Sequence, residues 1–224
     1  MSDLEFFNKN GYLIKKNFIE RQIHEELFYV FYDLACNIIN NNNINFINKI
    51  KPISKVSFPN DLNQLDMLLI NVLSLDKKFI GEIYDTVSYT SSFLKLVSLN
   101  KIEEVTKKIL SLKNYNSIYS WKHRVRIDPP NDNRRTYGWH QEIFYTIPEV
   151  KFIQTWCPLI RHSTTENGTI QICPKSHNEG IAKQSWNEID GRATQILVDD
   201  EIVKKYEQLN LPMNLGDILF FDPH

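Results

Sequence analysis

The chain has 224 residues, of which 42% are hydrophobic, and 26 Lys plus Arg stand against 27 Asp plus Glu for a formal net charge of -1. That is enough apolar material for one substantial core, and the near-zero balance argues against a nucleic-acid surface as its main business. The cysteines Cys36, Cys157 and Cys173 are odd in number and lack Cys-x-x-Cys spacing, so neither a disulfide framework nor a structural zinc site is expected. Met1-Ser2-Asp3-Leu4-Glu5 is acidic, without a hydrophobic leader. No apolar run approaches membrane-spanning length. A reducing, cytoplasmic setting is the expectation, with no membrane or nucleic-acid partner.

In chain order, Leu4 to Asn8 reads as a short helix, Asn10-Gly11 as a turn and Tyr12-Leu13-Ile14 as a strand. Residues 20 to 39 form the first long helix, because Ile23, Leu27, Val30, Phe31, Leu34 and Ile38 recur at helical spacing. The run Asn40 to Asn43 opens a polar, irregular stretch broken by Pro52 and Pro59. Residues 61 to 112 suggest two or three more helices, with Asp61 and Asp76 as N-caps. Ile102, Val105, Ile109 and Leu110 give the last of them an apolar stripe.

After Asn114 short strand-like runs replace helical periodicity: Ile118 to Ile127, Phe152 to Ile160, Thr169 to Cys173, Thr194 to Val198 and Asp217 to Phe221. Pro129-Pro130-Asn131-Asp132-Asn133 and Glu166-Asn167-Gly168 punctuate them. Strands so spaced suggest a sandwich or barrel. The expectation is one domain over residues 1–224, with a mainly helical part to residue 114 and a β-core from 115 that carries the chemistry.

The strongest local signal is Trp139-His140-Gln141-Glu142. On a strand, side chains at i and i+2 share a face, so His140 and Glu142 reach one ion while Gln141 turns away. An imidazole and a carboxylate, completed by a distant histidine, make the facial triad of non-haem Fe(II) oxygenases. The triplet alone is weak evidence; the order of motifs from Tyr137 to Gly180 is more specific.

That stretch resembles the phytanoyl-CoA dioxygenase family of Fe(II)/2-oxoglutarate oxygenases. The matching pieces are Trp139-His140-Gln141-Glu142 with Tyr145, the run Gln154-Thr155-Trp156-Cys157-Pro158-Leu159, then Glu166-Asn167-Gly168-Thr169, and Cys173-Pro174-Lys175-Ser176-His177 ending in Gly180. Weaker matches bracket it at Phe7 to Phe18 and at Gly216-Asp217-Ile218-Leu219-Phe220-Phe221. The family more often has Asp at position 142, and either carboxylate ligates iron. The resemblance implies a double-stranded β-helix, a jelly roll with N-terminal helices packed outside. It also implies oxidation of a small-molecule substrate with Fe(II), 2-oxoglutarate and O2. By position, His140 and Glu142 are iron ligands, while Trp156 and Arg124 line the 2-oxoglutarate site. Gln141 and Tyr145 are candidates for the substrate mouth, against ordinary packing. Halogenating relatives have a small residue in place of the carboxylate, so Glu142 favours hydroxylation.

Two points stay open. Ser120, Lys122, Arg124 and Arg126 alternate with Trp121, His123, Val125 and Ile127. The basic row suits a carboxylate if it faces inward, and is a solvated outer face otherwise. The family's distal histidine falls about eleven residues after the glycine of Gly-Asp, with a clamping arginine further on. His224 stands eight residues after Gly216. The expectation is a third ligand past residue 224, with His224 as the alternative. A non-catalytic or degenerate jelly-roll binding protein is the second reading; a sugar-processing cupin would cluster its histidines in sequence, which this chain does not. Of the other histidines, His177 reads as a loop-fixing hydrogen bonder, His123 as a core residue, and His162 and His24 as surface positions. Cys157 and Cys173 read as small core side chains.

Overall fold

The computed structural model describes residues 1–42, 50–130, 136–146, 151–187 and 194–224, with Asn187 described by its backbone alone. Asn43 of the asparagine run, and Asn131-Asp132-Asn133 of the expected turn, lie outside the described residues. The chain divides into two compact units that interleave in sequence. One comprises residues 19–100 and 119–130, and the other residues 1–18, 101–118 and 131–224.

The first unit is helical. Helix α2 (Arg21–Asn41) buries Ile23, Leu27, Phe28, Phe31, Tyr32, Ala35 and Ile39 along one broad face. That face also takes in His24, only 1% exposed, so the surface position expected for it is corrected. His24 follows Ile23 and precedes Leu27 and Phe28 by one turn, which leaves it no route to solvent. Helices α3 (Leu62–Leu75), α4 (Lys77–Val87) and α5 (Ser91–Val97) pack against α2. They contribute Leu65, Leu68, Val72, Ile80, Ile83, Val87, Phe93 and Leu96.

Asp76 caps α4 by accepting from the Lys78 amide at 2.9 Å, as its sequence position suggests. Asp61 does not cap α3 with its side chain. Its carboxylate accepts instead from the Ser57 amide at 2.8 Å and the Lys51 ammonium at 2.6 Å. The Lys51 bond, followed by the Ser57 amide, holds that carboxyl below the usual range against its desolvation. Four helices occupy residues 62–109, more than the two or three expected, and the Asp76 and Thr90 caps separate the first three of them.

Ile118 to Ile127, expected as a strand, pairs with none among the described residues. Lys122 takes a left-handed φ of 52°, which interrupts an extended run. The alternation survives as burial: Val125 is buried, with His123 and Ile127 half-buried, while Lys122, Arg124 and Arg126 are exposed.

The second unit begins with α1 (Asp3–Asn10), opened by a reciprocal capping box between Ser2 and Glu5. Gly11 closes it at φ 78°, where the chain turns into β1 (Tyr12–Lys15). Helix α6 (Asn100–Ile109) keeps its apolar stripe half-buried. Strands β2 (Gln154–Trp156), β3 (Ile170–Ile172), β4 (Gln184–Asn187), β5 (Gln195–Val198), β6 (Leu209–Leu211) and β7 (Ile218–Phe221) come next, with a short helix α7 (Asp200–Val203) between β5 and β6. Strands β4 and β6 escape sequence reading because they are short and partly polar, and their pairing partners define them. The described strands form three small antiparallel sheets, ordered β1-β7-β2, β3-β6 and β4-β5.

Strand β7 is central to its sheet, so Ile218, Leu219 and Phe220 are all buried and the run reads as continuous apolar sequence. Leu219 joins Leu211 and Met213 in a core that Tyr12, Ile14, Trp156, Ile170, Ile172, Leu209 and Phe221 surround. Ahead of β7 stands Asp217, 1% exposed. It accepts from the Asn17 and Asn214 amides at 3.0 Å each and from the Lys16 ammonium at 2.8 Å. Burial pushes this carboxyl upward, but the bonds from Lys16, Asn17 and Asn214 together outweigh it and leave it lowered.

A folded-state pKa below the unfolded one stabilises the fold above the ordinary carboxylate value of 3.8, and that contribution is lost as pH falls through the folded value. Asp217→Ala is expected to cost roughly 3 kcal/mol near neutrality, because two amides lose their acceptor. Urea unfolding checks this, and the gap between Asp217→Asn and the parent should narrow below pH 3.8. A gap independent of pH sinks the assignment.

Candidate metal centre

His140 and Glu142 meet, though not on a strand. Gln141 has extended backbone, with φ -105° and ψ 136°, and Glu142 begins a short 3-10 helix, Glu142–Tyr145. One extended residue suffices to turn its two neighbours to the same side. His140 Nε2 lies 3.4 Å from Glu142 Oε1, and both side chains are about three-quarters buried.

The imidazole is oriented from behind. Its Nδ1 lies 2.8 Å from the Gly138 carbonyl, which can only accept, so Nδ1 carries the proton. In the neutral ring Nε2 then presents a lone pair to a carboxylate oxygen. A neutral ring and a carboxylate placed this way are two acceptors that one divalent cation can share, and a ligating histidine is held by such a backbone carbonyl on its other nitrogen. The donor set therefore fits a divalent metal. Tyr137 and Tyr145 lie near it, with ring centroids 5.4 and 5.7 Å from the imidazole.

Gln141 turns away, as the spacing requires. It is 6% exposed, donates to the Gly180 carbonyl at 2.7 Å and accepts from the Ala182 amide at 2.9 Å. Both ends of its amide are bonded to backbone, which braces the turn around the pair. The Tyr145 hydroxyl accepts from the Ile196 amide at 3.0 Å, and burial raises its pKa. Tyr145 likewise anchors the 3-10 turn to β5.

The remaining sequence candidates have other neighbours. Trp156 stands in β2 opposite Leu219 and packs against the Leu211–Met213–Leu219 cluster. Arg124 belongs to the helical unit and is exposed. His224 Nδ1 sits 2.9 Å from Asp222 Oδ1, while the carbonyl of Pro223 accepts from the Ile143 amide at 3.1 Å. The end of β7 is thus fastened beside Glu142, yet among the described residues no three metal-capable side chains converge.

His177 Nε2 lies 3.1 Å from the Asn8 carbonyl, fixing the loop to α1. A Cβ on Gly11 would come 2.5 Å from His177 Nδ1, so glycine is needed there for space as well as for φ. His123 packs near Phe93. His162 is exposed and accepts from the Leu215 amide at 2.9 Å. Burial pushes the Cys157 thiol up to about 12 and raises that of Cys173, which suits packing groups. Sequence reading missed Gln195, which grips Thr136 and Gly138 just ahead of His140; nothing local marks a glutamine so far along the chain.

Gln141→Ala is expected to cost about 2 kcal/mol, since it strands the Gly180 carbonyl and the Ala182 amide. Chemical denaturation checks this. Unchanged stability with altered substrate affinity alone would return Gln141 to the substrate mouth.

One comparison with known proteins bears on this centre. A model of the phytanoyl-CoA dioxygenase family matches residues 70–224, more than half of the chain and all of the centre just described.

Proposed function

The chain belongs to the phytanoyl-CoA dioxygenase family, and on that premise we propose that it is an Fe(II)- and 2-oxoglutarate-dependent oxygenase hydroxylating a small molecule on a jelly-roll core. The observation that carries this reading is the approach of His140 Nε2 to Glu142 Oε1 at 3.4 Å, with Nδ1 tied to Gly138. Bound iron supplies two-electron oxidation of a C–H bond, balanced by reduction of O2 and by decarboxylation of 2-oxoglutarate to succinate and CO2.

The chain supplies position and shelter. His140 offers a lone pair in a fixed tautomer, and Glu142 offers a carboxylate that leaves no ligand place for halide. Tyr137 and Tyr145 both pack near the imidazole. Family position assigns Trp156 to the 2-oxoglutarate pocket, and assigns Arg124 there on position alone. The register from Gly216 assigns the third ligand to a histidine about eleven residues on, past residue 224. His224, paired with Asp222, is the weaker assignment. The substrate is a small molecule of unassigned class, since family and fold do not specify it.

A jelly-roll protein that binds without catalysis is the second reading. It is favoured by one observation, that no third metal-capable side chain joins His140 and Glu142 among the described residues.

The readings separate in a single experiment on the protein with any natural continuation past residue 224. Fe(II) plus 2-oxoglutarate under argon should give a weak visible charge-transfer band, and O2 should then release succinate. His140→Ala should abolish Fe(II) binding, and Glu142→Gly should lose hydroxylation. Neither band nor succinate, with or without a broad substrate panel, replaces the enzyme with the binding protein.

A further inference from the structure

The backbone just ahead of His140 is held by a side chain. Gln195, the first residue of β5, is 5% exposed and both ends of its amide are used. Its Oε1 accepts from the Gly138 amide at 3.1 Å, and its Nε2 donates to the Thr136 carbonyl at 3.0 Å. Those two backbone groups flank Tyr137. A neighbouring parallel strand would bond this same pair, so the glutamine amide stands in for a missing ladder. Three residues on, β5 continues the grip with its own backbone, as Val198 donates to the Trp139 carbonyl at 2.8 Å.

Gly138 is the point where this hold reaches the ligand. Its amide is fixed by Gln195 and its carbonyl receives His140 Nδ1 at 2.8 Å. It also lets β5 come close, because a Cβ there would sit 3.0 Å from a Leu197 methyl. Rotating Gly138 would carry the carbonyl away from His140 and free both the tautomer and the ring angle. The buried amide of Gln195, bonded at both its oxygen and its nitrogen, opposes that rotation, since those bonds would be lost.

We propose that Gln195 is a positioning residue for the metal centre: by clamping Thr136 and Gly138 it fixes the carbonyl that orients His140 toward Glu142. The inference rests on the assignment of His140 and Glu142 as metal ligands and adds to it a residue that touches neither metal nor substrate. Gln195→Met keeps the length of the side chain and removes both hydrogen bonds. Gln195→Glu keeps an acceptor for the Gly138 amide.

The test is Co(II) titration of the full chain, with any natural continuation, read by visible absorption and by affinity. Thermal unfolding of each variant is recorded beside it. Gln195→Met should weaken Co(II) roughly ten- to hundredfold and alter the band shape. Gln195→Glu should lie closer to the parent. Val72→Ala, in the helical unit, should lower stability with affinity unchanged, which separates orientation from general loosening. Equal affinity in Gln195→Met and the parent, with His140→Ala abolishing binding, overturns the positioning role and leaves the ligands standing. A Glu variant no better than the Met variant also overturns it, because the Gly138 contact is then not the route. No Co(II) binding by the parent, or full binding by His140→Ala, overturns the ligand assignment and this inference with it.

Discussion

The sheet unit depends on one buried carboxylate. Asp217 gathers the Asn17 and Asn214 amides and the Lys16 ammonium at the entry to β7. A buried charge so fully bonded tolerates little displacement, because any shift leaves donors and acceptor unmatched. It therefore sets where β7 starts relative to β1, and the antiparallel register runs from Lys15 opposite Ile218 to Tyr12 opposite Phe221. At the far end of β7 the Asp222 amide donates to the Gly11 carbonyl at 2.9 Å, and Pro223 accepts from Ile143. The same strand that Asp217 anchors thus delivers its last residues against the backbone next to Glu142.

The candidate centre itself has little regular structure. His140 and Glu142 sit in a coil and a 3-10 turn, where no ladder holds the backbone. Functional side chains on loops need a rigid support elsewhere. Here the support is made by side chains acting as substitutes for strand pairing: Gln195 ahead of the pair, Gln141 within it and the Tyr145 hydroxyl after it. Each replaces a backbone partner with a polar group carried on a different segment, and the two glutamine amides are buried. Such contacts fix orientation at modest energetic cost, since both the oxygen and the nitrogen of each buried amide find a backbone partner.

Much was legible in the sequence where the signal is local. The spacing of His140 and Glu142 required only that Gln141 be extended, and a single residue of that conformation satisfies it whether or not a strand forms. Apolar periodicity located α2, and the apolar run up to Phe221 marked a strand where β7 lies. Gly11 and Asp76 announced a turn and a cap because their chemistry is their own. The ordered pieces from Trp139 to Gly180 carried the family, and the match over residues 70–224 agrees.

What tertiary structure alone decided is which polar side chains are inside. His24 and Asp61 look like surface residues by type. One was buried by the width of the apolar face on α2, and the other was recruited to Ser57 and Lys51 instead of capping α3. Ile118 to Ile127 has the alternation of a strand, but a strand exists only when another pairs with it, and Lys122 turns the chain out of the extended region first. Gln141 and Gln195 are the clearest case. A glutamine gives no local sign of whether its amide will meet water, a substrate or a backbone, because that depends on segments about forty to sixty residues away in the chain and on the hydrogen bonds they leave unmade.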